Sequence, residues 1–207
     1  MSRGILTVVS GFSGAGKGTV MKALLNKYDN YALSVSATTR NPRPGEENGR
    51  EYFFLTESQF EDMIKNDELI EHARYVDHYY GTPKKYVEEK MAAGKDVILE
   101  IEIQGALNIK KKFPDALLVF IVPPTAEDLK KRLTGRGTES AEVIEKRLRR
   151  AAEESDGMDS YDYIVVNDDI DTCVEDLHSL IRSSHFKESA NTDLVARMKQ
   201  ELHDMTK

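Results

Sequence analysis

Four glycines, one lysine and two hydroxyls fall within nine residues in the run GFSGAGKGT, Gly11 to Thr19. Glycines at this density let successive backbone N–H groups curl around phosphate oxygens without a Cβ in the way. Lys17 adds a full positive charge for the outer phosphates of a triphosphate. The apolar run Ile5 to Ser10 stands before the loop and a helical pattern begins at Lys17. That strand, loop and helix order is the context of a P-loop, in which the helix N-terminus contributes its own partial charge. The expected phosphate ligands are Gly11, Ser13, Gly14, Ala15, Gly16, Lys17, Gly18 and Thr19. Gly18 occupies the place where many P-loops put a Ser or Thr hydroxyl on Mg2+, so metal ligation from that position is excluded; Thr19 comes one residue later.

Three further groups of residues have chemistry to offer. Arg40 and Arg43 lie three apart among the hydroxyls of SVSATTRNPR, a candidate oxyanion clamp, since a guanidinium grips phosphate through two parallel N–H groups. VILEIEI, residues 97 to 103, sets Glu100 and Glu102 in an apolar run. As a strand it places both acids on one face, costly unless they meet a ligand or a metal. Either glutamate is a candidate for the water shell of Mg2+. Arg132, Arg136 and Arg147 form an arginine-rich stretch, whereas Lys130, Lys131, Arg149 and Arg150 read as solvated helix charges. The five histidines lack the close pairing of a metal site.

In order and spacing, SGAGKGT, SATTRNPRPGEENGREYFF, LIEHA, HYYGTP, EIQGA, RLTGRGTE and VVNDD resemble the guanylate kinase family from Ser10 to Asp169. The resemblance implies a P-loop NTPase fold, α/β with helices on both faces of a parallel sheet, and transfer of the γ-phosphate of ATP to GMP or dGMP with Mg2+. It implies that Ser36, Arg40, Arg43, Tyr52 and Tyr80 hold the GMP phosphate, and that Glu71 and Thr82 read guanine with Glu100 near the nucleoside. Lys17, Arg132, Arg136 and Arg147 become the catalytic cations, the arginines on a lid over ATP, and Asn167 touches adenine. Guanine's N1–H and N2 amine are adjacent donors that one carboxylate accepts together, while a threonine hydroxyl can donate to O6. Adenine turns an acceptor toward Glu71 instead. Many family members carry Asp where Glu100 and Glu102 stand. The rival readings are an AMP-directed kinase, which Glu71 and Thr82 oppose, and a binding module without catalysis, which the intact loop opposes.

Elements must position these groups. The pattern predicts strands over Ile5 to Ser10, Tyr52 to Leu55, Val97 to Ile103, Leu117 to Val122 and Tyr163 to Val166. Helices are expected from Lys17 to about Tyr28, after Thr56 with Gln59 completing a capping box, from a Thr82-Pro83 start to Gly94, around Ala106 to Lys112, and from Ser140 to about Glu154. Strands alternating with helices imply a parallel sheet. Within one domain, 4–184, the expected division is a core of 1–33, 83–124 and 151–187, a GMP-binding segment 34–82 and a lid 125–150. A helical tail, 188–207, carries Leu194, Val195, Met198, Leu202 and Met205 at helical spacing; packing on the core is the expectation, and monomer or homodimer is left open.

The 207 residues carry a net charge of −7 with 31% charged and 40% hydrophobic side chains. That balance opposes general nucleic-acid binding, and no apolar run is long enough to span a membrane. One cysteine, Cys173, excludes an internal disulfide and fits a reducing cytoplasm.

Overall fold

The computed structural model describes residues 3–75, 77–135 and 140–206, apart from the side chain at position 75. Among these, nine strands form two sheets. The larger is five-stranded and parallel. β1 (Leu6–Gly11) lies at its centre between β7 (Asp96–Glu100) and β8 (Leu117–Val122), with β2 (Tyr31–Leu33) and β9 (Tyr163–Val166) outermost. Val8, Val9, Ile98, Leu118 and Phe120 are fully buried, as a sheet covered on both faces requires. One face packs on α1 (Lys17–Lys27) and α7 (Ile170–Ser184), the other on α3 (Lys84–Ala92) and α4 (Ile103–Lys112).

The smaller sheet runs β4 (Tyr52–Phe54), β3 (Ser36–Thr38), β6 (His78–Pro83), β5 (Leu69–Tyr75). Its register matters. Ser36 pairs with Tyr52, Thr38 with Tyr80 and Ala37 with Gly81. Side chains alternate along a strand, so Ser36, Tyr52, Tyr80 and Thr82 share one face. Ala37, Phe53, Leu69 and Tyr79 pack on the other, against Phe60 of α2 (Glu57–Lys65), whose ring stacks on Tyr79 at 5.2 Å. Thr56 and Gln59 form the expected capping box on that helix.

Two boundaries differ from expectation, for physical reasons. β7 stops at Glu100, and Glu102 is the N-cap of α4. The two acids therefore do not share a strand face. Thr82 does not cap α3; it belongs to β6, and Pro83 stands at the cap. Lys110 binds Asp162 and the Ala116 carbonyl, and Lys112 the Ile70 carbonyl, so these two lysines tie α4 to neighbouring elements.

α5 (Ala126–Thr134) and α6 (Ala141–Ser155) pack together through Leu129, Leu133, Leu148 and Ala151, beside Phe12 of the glycine loop. α8 (Thr192–Met205) rests on little beyond the short 3-10 turn Glu188–Ala190. Leu194, Met198, Leu202 and Met205 are 45% to 82% exposed, so the tail's apolar stripe does not pack on the core. No described helix is long and apolar enough to cross a membrane.

Candidate active site

The glycine loop leaves the C-terminal end of β1 and enters α1, the edge at which open parallel sheets hold ligands. A cavity of about 340 Å³ is lined by Phe12, Ser13, Gly14, Gly16, Lys17, Gly18, Thr19 and Glu100. Lys17 donates to the carbonyls of Gly11 at 2.7 Å and Phe12 at 3.3 Å, which holds its ammonium over the loop. Gly16 has φ 91°, and a Cβ there would lie 2.4 Å from Asn167 Nδ2. At Gly18 a Cβ would meet nothing within 4 Å, so a hydroxyl-bearing residue would fit where none stands.

Glu100 and Glu102 separate in space. Glu100, at the end of β7, lines the loop cavity. Desolvation raises its pKa; Lys17 opposes the rise and Glu102 adds to it. Glu102 faces a different cavity and is bound by Arg150 at 3.3 Å, and Arg150 also pairs with Glu154 at 2.9 Å. Arg150 is thus an ion-pair partner of α4 rather than a purely solvated charge. Spacing along α6 could have signalled Glu154, four residues on, but not Glu102.

Around the smaller sheet the polar face forms a second cluster. The Arg40 guanidinium lies over the rings of Tyr52 and Phe54, at 5.3 and 5.7 Å, and is held by Glu46 at 3.0 Å and the Asn41 carbonyl at 2.6 Å. Desolvation pulls Arg40 down, but Glu46 and Tyr80 outweigh it and its pKa is raised. Glu46 is lowered, first by the Arg43 backbone N–H at 2.7 Å and then, against some desolvation, by Arg40. Sequence reasoning missed Glu46, although an acid six residues from Arg40 in a turn-rich loop was a usable signal. Arg43 is exposed, and the rings of Tyr52 and Tyr80 meet edge to face at 6.1 Å.

Glu71 is 7% exposed and accepts the hydroxyl of fully buried Thr82 at 2.9 Å. Burial raises its pKa, with Thr82 and Lys112 opposing. Thr82 spends its only proton on Glu71, so toward a base it offers lone pairs, and donation to O6 would require the hydroxyl to turn away. A Cβ at Gly105 would stand 3.1 Å from Glu71 Oε2, so the glycine keeps α4 clear of the carboxylate.

The cations from α5 and α6 reach the loop differently. Arg147 donates to Ser13 Oγ at 3.3 Å. Arg132 donates to the carbonyls of Ala15 at 3.3 Å and Asn167 at 2.7 Å. Arg136 lies outside the described residues. Asn167 is 3% exposed, gives its amide N–H to the Ala15 carbonyl at 2.8 Å, and keeps Oδ1 buried without a protein partner. No group of three or more His, Cys, Asp or Glu that could hold a metal occurs among the described residues.

Comparison with known proteins points one way. A family model described as guanylate kinase matches residues 3–184. A guanylate kinase of Caldanaerobacter subterraneus subsp. tengcongensis is 48% identical over 96% of this chain and 97% of its own. One from Lactococcus lactis subsp. lactis is 50% identical over 89% and 90%. The crystal structure of guanylate kinase from Anaplasma phagocytophilum superposes with a TM-score of 0.72 at 33% identity, covering 90% of this chain and 88% of that one.

Proposed function

The chain belongs to the guanylate kinase family, the ATP:GMP phosphotransferases, and from that premise we propose how its residues divide the reaction. The Gly11 to Thr19 loop holds the triphosphate of ATP. Ser36, Arg40, Arg43, Tyr52 and Tyr80 hold the phosphate of GMP or dGMP, and Glu71 with Thr82 reads guanine. The observation carrying this reading is the cavity that Lys17 and Glu100 line together at the C-terminal edge of the parallel sheet, with the buried Glu71–Thr82 pair against α4, the helix that follows β7.

Transfer is direct and in line. The GMP phosphate is already an anion at neutral pH, so its oxygen attacks without a general base. Lys17 and the arginines Arg132, Arg136 and Arg147 neutralise the charge that spreads over the transferring group. The helices behind these arginines close over ATP as a lid on the core, while segment 34–82 closes over GMP and water is excluded. The Oδ1 of Asn167 has the chemistry to accept the exocyclic amine of adenine.

Kinases of this family typically use a divalent metal, here read as Mg2+. The donors at the cavity fit a hard, hydrated cation: carboxylate at Glu100 and hydroxyl at Thr19, with no thiolate or imidazole. Glu100 would hold Mg2+ through water, and the ion would supply charge neutralisation for the phosphates. Glu102, engaged by Arg150, is the weaker candidate. The substrate pair places the enzyme in purine nucleotide recycling, and we infer a cytoplasmic location.

Equilibrium titration tests the acceptor assignment: GMP should bind and AMP should not, and equal binding would remove guanine reading by Glu71. Chelating divalent metal should stop turnover and leave GMP binding intact, because no residue of the Arg40 cluster depends on the metal.

A further inference from the structure

Beneath the phosphate loop lies an arrangement that substrate contact alone does not explain. The Ala15 carbonyl accepts from two side chains that come from distant parts of the chain, Asn167 Nδ2 at 2.8 Å and Arg132 Nη1 at 3.3 Å. Arg132 uses its other arm on the Asn167 carbonyl at 2.7 Å. The three residues close a ring between the loop, the last turn of α5 and the end of β9. Asn167 and Ala15 are both buried, so these are bonds made away from competing water. Packing against Gly16 is tight enough that a Cβ there would collide with Asn167 Nδ2, at a residue whose left-handed φ of 91° already demands glycine.

We propose that Asn167 is a positioning residue for the phosphate loop, with Arg132 bracing it. Its carboxamide fixes the orientation of the Ala15–Gly16 peptide. The carbonyl of that peptide points down to Asn167 and Arg132, so its N–H is turned the opposite way, as the amides of an anion-binding loop must be. Gly16 also accepts, at its own carbonyl, the N–H groups of Thr19 and Val20, so the strap sets the first turn of α1 as well. Contact with adenine through Oδ1 is compatible with this role but separable from it. A base contact affects donors according to their base; a strap under the phosphates affects every donor alike.

The proposal rests on the kinase reading above, and the experiment keeps the two apart. Asn167→Ala removes both the N–H donor of the strap and the Oδ1 acceptor open to adenine. With GMP saturating, kcat/KM is measured for ATP and for its 6-deamino analogue, purine riboside triphosphate, in parent and variant. The expected result is a fall of about tenfold or more for both donors by a common factor, with KM for GMP unchanged. A fall confined to ATP, leaving the analogue as in the parent, would overturn the strap and leave only base reading. No loss for either donor would overturn it equally. Should Asn167→Ala prevent folding, Asn167→Asp keeps an acceptor oxygen but loses the N–H, so the strap still predicts a common fall for both donors, and unchanged donors would overturn it. The parent's own ADP formation reports on the kinase reading; the variant-to-parent factor reports on the strap.

Discussion

Glu71 is held where a carboxylate is costly, and the cost follows from the task assigned to it. Its pKa in the folded chain lies above the unfolded value, so the ionised form destabilises the fold. That penalty is absent below the unfolded pKa, grows as pH rises through the interval, and is complete above the folded pKa. Glu71→Gln should therefore stabilise the protein near neutral pH, by roughly 1 kcal/mol or about 2–4 °C in Tm. The same change should weaken GMP by about 10- to 100-fold, since an amide cannot accept both guanine donors. An unshifted GMP affinity would show that Glu71 does not read the base. In the parent, GMP affinity should fall as pH is lowered through the raised pKa of Glu71, starting above the ordinary carboxylate range, because protonation removes the acceptor. Arg40→Ala should raise KM for GMP by about 10- to 100-fold with the ATP parameters little changed. Cys173 offers a control. Burial pushes its thiol up to about 11, so a thiol reagent at mildly alkaline pH should label it only as fast as the chain unfolds.

At the scale of elements, Gly16 and Gly18 make opposite demands. Gly16→Ala meets both a left-handed φ and the Asn167 amide, and should abolish ATP binding while GMP still binds. Gly18→Ser meets open space in the first turn of α1, and should fold at least as stably, by up to about 0.5–1 kcal/mol, as a chemical melt would register. These elements also explain what could be read from sequence. Leu117–Val122 was legible to the residue because a strand buried on both faces is continuously apolar. The β5–β6 pair was not: one of its faces packs on Phe60 while the other carries Glu71, Tyr80 and Thr82, so polar site residues break the apolar pattern. Of the three strands of three residues, β4 was legible through its unbroken aromatic run, whereas β2 and β3 are too short for a period to emerge and carry no such run. The Thr82-Pro83 pair imitates a helix cap, but its hydroxyl belongs to Glu71. Glu102 misled in the same way, since alternation along VILEIEI continues past the point where β7 gives way to α4.

Across the whole molecule, the motifs named the residues but not their partners. Nothing in the spacing of Ala15, Arg132 and Asn167 announces that they close a ring, because such contacts arise only when distant segments meet. The tail adds the least. Exposed along its apolar stripe, α8 should be dispensable to the monomer's chemistry: ending the chain at Asn191 should leave kcat and both KM values within about twofold and Tm nearly unchanged. A large loss of activity would mean that α8 supports the site through contacts between copies. The central claim is that this fold joins an ATP loop to a guanine-reading face, and coupled ADP release with ATP, Mg2+ and a panel of GMP, dGMP, AMP and UMP tests it most directly. The expected result is rapid ADP formation with GMP and dGMP, and a rate at least about 100-fold lower with AMP and UMP. ADP formation that ignores the base, or none with GMP, would contradict it.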